Sequence, residues 1–232
     1  AQTSVVDLVN PIIGTNGMGH TFPGACVPFG LVQLSPDTDT IPHNVDGKYQ
    51  PRSYEYCAGY QHKDSSIVGF SHTHFSGTGH SDLGDILIMP TTGTLKLNPG
   101  TATNPDGGYR SRFSHGTEIS RPGYYEVMLA DYGVKAQLTT TQRVGIHKYT
   151  YPTNSENQRI ILDMIHGIYN YDGKVLWTNI RVENDTLVTG YRITNGWART
   201  NYTYFAMSFS KPITHYLSLI HISEPTRRSY IS

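Results

Sequence analysis

Residues 134–151 read VKAQLTTTQRVGIHKYTY, and this stretch decides the fold class. Val134, Ala136 and Leu138 occupy one face of an extended chain, and the polar residues between them occupy the other. Alternation with a period of two residues is typical of a half-buried β-strand. After a polar turn it resumes, with Val144 and Ile146 on one face and His147, Tyr149 and Tyr151 on the opposite one. The stretch therefore predicts two consecutive β-strands.

Similar patterns lie on both sides of this stretch. Short apolar runs predict strands at 31–34, 67–70 and 85–89, the last stopped by Pro90. Residues 159–163 form a buried-strand pattern, and alternation returns at 187–193 and 205–209. No 12-residue segment has the 3.6-residue period of a capped amphipathic helix. Many short strands with polar turns and little helix predict an all-β fold, either a sandwich or a barrel.

Composition excludes several classes of protein. Eighteen Lys and Arg balance eighteen Asp and Glu in 232 residues, so the broad cationic field of a nucleic-acid-binding protein is absent. Seventeen Tyr, seven Phe and two Trp are too many for an intrinsically disordered chain. No apolar run approaches the roughly 18 residues of a membrane span.

The first part of the chain is rich in loop signals. Residues 36–59 form a long segment with Pro42 and Pro51, and loops of this length in compact domains are commonly functional. The acidic residues in and near it are predicted to be solvated loop caps: Asp37, Asp39, Asp46 and Asp64. The two cysteines, Cys26 and Cys57, give at most one disulfide, and two buried thiols are the expected arrangement.

The two ends of the sequence carry information of another kind. The chain starts Ala1-Gln2-Thr3 rather than with Met, as in a mature protein after removal of a signal peptide. We therefore expect secretion or export, with a trimmed reading frame as the alternative. Residues 219–229, LIHISEPTRRS, resemble translated sequencing-adapter DNA. An ordinary C-terminal strand is the alternative interpretation of that end.

The densest polar cluster in the sequence is His72, His74, His80, Asp82 and Asp85. In a strand, the two histidines of the His-x-His pair would project to the same side, about 7 Å apart. Such a cluster could bind a transition metal or a calcium-like ion. The alternative is a hydrogen-bonded loop at a sugar-binding or structural site. The carboxyl pair in it is also a candidate for glycoside hydrolysis, although spacing alone does not set the separation of the two groups.

Other motifs are weaker. The glycine string of residues 14–20 lacks the preceding strand and following helix that phosphate loops require, so nucleotide binding is not expected. Serines near His72 do not form the G-x-S-x-G turn of a serine hydrolase. Arg52 lies among Tyr54, Tyr56 and Tyr60, a combination that suits either sugar recognition or a packed aromatic loop.

Long ordered blocks of the sequence resemble glycoside hydrolase family 92. They are VNPIIGT at 9–15, HTFPGA at 20–25, VPFGLVQLSPDT at 27–38, GY at 59–60, IVGFSHTHFSGTG at 67–79 and SDLGDILIMPTTG at 81–93. The resemblance runs from about residue 7 to 213. One departure is Ile12-Ile13, where the family more often has an aromatic residue before the isoleucine.

The resemblance implies a calcium-dependent exo-α-mannosidase that inverts the anomeric carbon. Members of the family have an N-terminal β-sandwich and a C-terminal (α/α)6 barrel, and the barrel holds most of the catalytic and calcium-binding groups. The implied partners are therefore mannose-containing glycans and the barrel of the same natural chain. By motif position, the substrate-binding residues implied here are Phe22, Arg52, Gly59, His72, His74 and Thr78. Thr78 stands where some members have a bulky Trp.

The resemblance also sets the expected organisation and function. Residues 1–213 are predicted to form an incomplete N-terminal antiparallel β-sandwich, and residues 214–232 a non-native tail. The fragment is expected to be secreted, periplasmic or held at the cell surface, and inactive alone because the barrel supplies the acid and the base. Without its remaining strands it is expected to aggregate. The alternatives are a stand-alone carbohydrate-binding module, and a small metalloprotein that uses His72, His74 and His80.

Overall fold

A computed structural model of the protein describes residues 4–77, 83–168 and 171–219. In those residues the regular structure is almost entirely β, and every strand pair is antiparallel. The helical segments found there are short 3-10 helices: Val5–Leu8, Pro51–Tyr56, Pro105–Gly107 and His115–Thr117. No described helix has the length and hydropathy to cross a membrane. The predicted all-β class with little helix is confirmed.

The strands differ in length. In chain order they are β1 (Ser35–Asp37), β2 (Asn44–Val45), β3 (Lys48–Tyr49), β4 (Ser66–Ile67), β5 (Gly69–Ser71), β6 (Leu87–Thr91), β7 (Ser111–Arg112), β8 (Ile119–Arg121), β9 (Tyr124–Leu129), β10 (Val134–Thr140), β11 (Gly145–Thr150), β12 (Arg159–Asp163), β13 (Val175–Val182), β14 (Leu187–Thr194) and β15 (Asn201–Ser208).

The chain divides into two compact units, Ala1–Asn170 and Tyr171–Ser232. The first unit contains two four-stranded sheets, with strand orders β1-β5-β6-β12 and β11-β10-β9-β8. Phe70 and Leu87 of the first sheet and Val127 and Leu138 of the second sheet belong to one fully buried apolar cluster. Because side chains of both sheets meet in a single core, this unit is a β-sandwich. Burial of each such side chain stabilises the fold by about 1.5–3 kcal/mol.

The hairpin of β10 and β11 confirms the prediction from residues 134–151. Val134, Ala136 and Leu138 are completely or almost completely buried, and the polar residues between them are half-buried. On β11 the polar face is the buried one. Val144 and Ile146 are 53% and 47% exposed, whereas His147 is half-buried.

The strand predicted at 31–34 is wrong. Leu34 forms only an isolated bridge with Ala25, and the strand β1 begins at Ser35 and runs into the segment predicted to be a loop. β1 contains Pro36, which pairs with Phe70. Proline lacks a backbone N–H, and β1 tolerates it because it is an edge strand of its sheet.

Two other strand predictions differ in their ends. Pro90 lies within β6, paired with Ile160, although it was expected to stop the strand. The neighbouring strand β5 pairs with β6 only at Ile88, so Pro90 removes no hydrogen bond from that pairing. The strand predicted at 67–70 is interrupted at Val68, whose N–H donates to the Asp37 carbonyl, and becomes β4 and β5. β12 forms as predicted, but its side chains are at most half-buried.

The cysteine prediction is correct for one residue and wrong for the other. The two cysteines do not form a disulfide, and Cys57 is fully buried. Cys26 is exposed. It comes directly after Ala25, whose bridge to Leu34 keeps the backbone of that segment against the fold while the next side chain faces outward.

The second unit contains a three-stranded sheet of order β13-β14-β15. The predicted alternation at 187–193 and 205–209 is present in β14 and β15. Register places Trp177, Ile193 and Tyr202 in one row and Asn179, Tyr191 and Tyr204 in the next. Directly opposed residues of an antiparallel pair share a face. This aromatic face, made of Trp177, Tyr191, Tyr202 and Tyr204, leaves Tyr204 70% exposed.

Candidate functional site

A buried carboxylate, Asp37, lies at the centre of the loops predicted to bind substrate. Its side chain is 0% exposed at the end of β1. The Oδ1 atom is 2.7 Å from Nε2 of His74, and the Oδ2 atom is 2.7 Å from Nε2 of His166. Asp37 is therefore not the solvated loop cap that the sequence predicted. It is an acceptor shared by two histidines from distant parts of the chain.

Electrostatics keep this carboxyl group ionised. Burial alone would raise the pKa of Asp37, but the charge of His74 and the hydrogen bonds from both histidines hold that pKa well below its usual range. Nδ1 of His74 lies 2.8 Å from the Gln33 carbonyl oxygen, which only accepts hydrogen bonds. A hydrogen-bond acceptor therefore faces each ring nitrogen of His74.

The arrangement is not that of a serine nucleophile. The Oγ atom of Ser71 lies 3.2 Å from Nε2 of His74, the same nitrogen that faces Asp37. In a catalytic triad the serine and the carboxylate bind opposite nitrogens of the imidazole. Because Ser71, His74 and Asp37 are all fully or almost fully buried, they form a structural cluster rather than a reactive one.

Gly59 packs directly against this cluster. Its φ is +82°, a left-handed conformation that favours glycine. A Cβ atom there would lie 2.1 Å from Oδ1 of Asp37 and 3.0 Å from the His74 ring. Its carbonyl oxygen accepts the Thr38 N–H at 2.9 Å, which ties the loop to the end of β1. Gly59 is therefore required both by backbone conformation and by the space beside Asp37.

Phe22 and His20 lie on the adjoining loop. The Phe22 ring is half-buried with its centroid 5.3 Å from that of His74. His20 has φ +52° and stacks edge-on against Tyr54, with ring centroids 4.7 Å apart. The His20 residue is 8% exposed, and its Nε2 atom has no hydrogen-bond partner within residues 4–77, 83–168 and 171–219. Burial lowers the pKa of His20, so its ring is neutral at pH 7.

The remaining predicted site residues fall elsewhere or outside the described structure. Arg52 is exposed on the 3-10 helix Pro51–Tyr56, the helix that also carries Tyr54. Thr78, His80 and Asp82 lie outside the described residues. The preceding Gly77 donates its N–H to the His20 carbonyl at 2.8 Å, so the chain leading to Thr78 starts beside His20.

The two histidines of the His-x-His pair have separate partners. β5 ends at Ser71, so neither histidine lies in a strand as the sequence had suggested. His74 joins Asp37, whereas His72 contacts the Ile86 carbonyl through Nδ1 at 2.6 Å and His147 through Nε2 at 3.0 Å. Burial lowers the pKa of both His72 and His147.

The described ionisable side chains form no cluster of carboxylates suited to calcium. Calcium requires six to eight oxygen ligands. Among the His, Cys, Asp and Glu side chains of the described part of the chain, the one group of three or more is His62, His115 and Glu118, which offers mostly nitrogen. This group therefore does not suit the calcium implied by the family resemblance.

Comparison with known proteins shows which family this chain belongs to. Residues 8–228 match the model of the glycosyl hydrolase family 92 N-terminal domain. The chain belongs to this family. The matched region extends past residue 213, and the predicted junction between sandwich and tail stays a prediction.

Solved family 92 structures have the same fold. A GH92 alpha-mannosidase from Bacteroides thetaiotaomicron in complex with mannoimidazole is 41% identical, with a TM-score of 0.83. The comparison covers 98% of this family 92 chain and 29% of that one. A second structure of the same mannosidase, described without mannoimidazole, gives 41% identity and a TM-score of 0.82. The GH92 glycosyl hydrolase ccman5 is 25% identical over 88% of this chain and 26% of its own, with a TM-score of 0.65.

A curated relative is more distant. An uncharacterized secreted glycosidase of Arthroderma benhamiae is 29% identical over 66% of this chain and 18% of its own length. The chain thus spans less than a third of the length of these relatives.

Sequence reasoning found some members of this site and missed others. Phe22, Gly59 and His74 were predicted, and the structure brings them together around Asp37. His166, more than 90 residues from His74, has no local motif, so nothing in the sequence signalled it. His20 begins the HTFPGA block and could have been noticed there, but its buried, unpartnered nitrogen is visible only in the structure.

Proposed function

We propose that this chain is the N-terminal, pocket-completing part of an exo-α-mannosidase that hydrolyses terminal α-mannosides of glycans with inversion. Support comes from 41% identity across 98% of the chain to an alpha-mannosidase solved with mannoimidazole. The observation in this chain that carries the proposal is the unpartnered, buried Nε2 atom of His20 next to the half-buried ring of Phe22. A neutral imidazole can hydrogen-bond a sugar hydroxyl, and an aromatic ring can pack on the apolar face of a sugar.

The Asp37 cluster would act as the rigid support of this pocket. His74 contacts the Phe22 ring on one side and Asp37 on the other, so the hydrogen bond between His74 and Asp37 fixes the position of the aromatic surface. Gly59 leaves space for that contact. In the proposed enzyme these residues position the sugar and do not react with it.

The chain alone would not hydrolyse glycosides. Inverting glycosidases need two carboxyl groups about 6.5–9.5 Å apart on opposite sides of the scissile bond. The carboxylates described near this site are already engaged: Asp37 by two histidines, Asp85 by Thr73 at 2.7 Å and Asp64 by Tyr56 at 3.1 Å. We propose that the acid, the base and the calcium ligands come from a C-terminal barrel of the same natural protein, and that the protein is secreted.

The first experiment compares this chain with the longer natural protein. Both are incubated with 4-nitrophenyl α-mannoside, with calcium and with a chelator, and the anomer of the released mannose is followed by proton NMR. We expect release of β-mannose by the longer protein only, and only with calcium.

Each alternative result has a definite meaning. Mannose release by the 232-residue chain would contradict its proposed inactivity. A longer protein that leaves α-mannosides intact, or one that releases α-mannose first, would overturn the proposed activity. Export is tested separately, by locating the natural protein after cell fractionation.

A second candidate function is a stand-alone carbohydrate-binding module. The aromatic face of the second unit favours it, since Tyr202 and Tyr204 are exposed and their rings are nearly parallel, 8° apart in orientation. Tyr191 lies 5.4 Å from Tyr204 by ring centroids and supports it from the adjacent strand. Exposed aromatic rings are a common platform for sugars because their faces pack on C–H groups.

Glycan titration of two variants separates the candidates. Tyr204→Ala would weaken binding by a surface module and leave the pocket near His20 intact, whereas His20→Asn would do the opposite. If only Tyr204→Ala reduces glycan binding by the 232-residue chain, the module is the correct interpretation.

A further inference from the structure

A second polar cluster shares no residue with the proposed sugar pocket and offers a different chemistry. His62, His115 and Glu118 each offer one ligand atom, and these three atoms lie within 4.8 Å of one another. The two imidazole rings are stacked with centroids 3.9 Å apart and an angle of 28° between their planes. Two histidines beside one carboxylate are a ligand set used by zinc proteins.

Glu118 is held as a metal-binding carboxylate usually is. Its side chain is only 3% exposed. Oε1 accepts the Tyr125 hydroxyl at 2.6 Å and the Tyr60 hydroxyl at 2.9 Å, while Oε2 faces Nδ1 of His115 at 2.8 Å. Two phenol donors fix the carboxylate from behind, which is the supporting arrangement that orients ligating carboxylates in metal sites.

One ring nitrogen of His62 makes no hydrogen bond to any residue that the structure describes. Its Nδ1 atom is buried and has no hydrogen-bond partner in the described part of the chain. A buried polar atom without a partner destabilises the fold, so its presence calls for an explanation. The backbone N–H of His62 donates to the Thr15 carbonyl at 2.8 Å, which fixes the residue in place.

His115 supplies the adaptable ligand. Its side chain is 38% exposed on the 3-10 helix His115–Thr117, and its ring packs edge-on against Phe113. An exposed side chain is less confined by packing than a buried one, so the ring of His115 is the ligand that can adjust its position to an ion. Its Nδ1 atom already lies 2.8 Å from Oε2 of Glu118, so two of the three ligand groups are in contact.

We propose that His62, His115 and Glu118 bind one divalent transition-metal ion of borderline softness, with zinc as the best match. Imidazole nitrogen favours zinc, copper and nickel over calcium and magnesium. Three protein ligands leave the fourth tetrahedral position for water. The two histidines are more than fifty residues apart in the chain, so the ion would close a long loop in a sandwich whose two cysteines do not form a disulfide.

The test is a zinc titration of the tag-free 232-residue chain after chelator treatment. Isothermal calorimetry and metal analysis are expected to give one zinc per chain, and zinc is expected to raise the melting temperature. His62→Gln and His115→Gln should each weaken the zinc affinity at least tenfold. His43→Gln, which changes another histidine packed against a tyrosine, is the matched control and should bind zinc like the unchanged chain.

Cobalt provides an independent spectroscopic readout. Cobalt bound by two histidines and a carboxylate gives weak visible bands without the intense near-ultraviolet band of a thiolate ligand, so exposed Cys26 is distinguished from the proposed site. Because His115 is exposed, His115→Gln is expected to fold even if His62→Gln does not. Zinc affinity unchanged in His115→Gln, a thiolate band, or equal loss in His43→Gln would overturn the proposal. Calcium is titrated in parallel and is expected not to compete.

Discussion

The Nε2 atom of His72 lies 3.0 Å from the Nε2 atom of His147, between the two sheets of the sandwich. Two nitrogens at this distance must share one proton, and the surrounding groups decide which of them carries it. Nδ1 of His72 donates to the Ile86 carbonyl at 2.6 Å, so Nε2 of His72 is the acceptor. His147 then donates from Nε2 and accepts the Tyr149 hydroxyl at Nδ1, 2.7 Å away.

This chain of hydrogen bonds makes the fold sensitive to acid. Burial lowers the pKa of both histidines, and it outweighs the nearby charges of Asp85 and Asp37 at His72. Below the unfolded-state pKa of about 6.5, these histidines bind protons in the unfolded chain but not in the folded one. The contribution of the two histidines to the free energy of unfolding is therefore fully present above about pH 6.5. It is lost as the pH drops below that value.

His147→Gln is predicted to reduce that acid sensitivity. The Gln amide can still donate to Nε2 of His72 but does not titrate. Between pH 6 and 5, the slope of unfolding free energy against pH should decrease by about 1.4 kcal/mol per pH unit. Urea unfolding at several pH values measures it. A slope equal to that of the unchanged chain would contradict the proton assignment.

Asp37→Asn is predicted to cost about 3–5 kcal/mol at neutral pH, because it leaves two buried histidine N–H groups facing a neutral amide. The pKa of Asp37 is lowered in the fold, so its contribution is present above the unfolded-state value of about 3.9 and is lost as the pH falls. The stability difference between the two proteins should thus shrink below about pH 4. A difference independent of pH would indicate that the Asp37 charge is not what stabilises the cluster.

Gly59→Ala and Gly47→Ala form a matched pair. Both glycines have positive φ, +82° and +75°, but only Gly59 has atoms where a Cβ would be placed. We expect a loss of about 1 kcal/mol for Gly47→Ala from backbone strain alone. For Gly59→Ala we expect at least about 3 kcal/mol, because the methyl group displaces Asp37 as well. Equal losses in chemical denaturation would argue against the close packing of Gly59 on Asp37.

His20→Asn in the longer natural protein is predicted to weaken mannoside binding about tenfold, the effect of one hydrogen bond of roughly 1.4 kcal/mol. Asparagine is chosen because it tolerates the left-handed backbone of this position. Met18→Ala, on the same loop with an exposed side chain, is the control and should bind normally. Inhibition constants for mannoimidazole measure both. Unchanged affinity of the His20 variant would remove His20 from the pocket.

Sequence periodicity predicted the parts of the fold where one face of a strand is apolar. Val134, Ala136 and Leu138 were assigned to the core correctly because their burial is the reason that the alternation exists. The same reasoning misplaced β1, where Ser35 and Asp37 are buried although polar. A buried polar residue follows no hydrophobic period, and its partners come from other segments of the chain.

The sequence by itself determined the all-β class, the hairpin at 134–151 and, through its ordered motifs, the family. Only the tertiary structure decided that Asp37 is a shared acceptor rather than a solvated cap, that His72 and His74 separate, and that His62 meets His115 and Glu118. The physical reason is the distance along the chain between the residues that interact. Strand alternation is set by neighbours two residues apart, whereas these polar contacts join residues 37 to 129 positions apart, and only packing of the sheets brings them within hydrogen-bond distance.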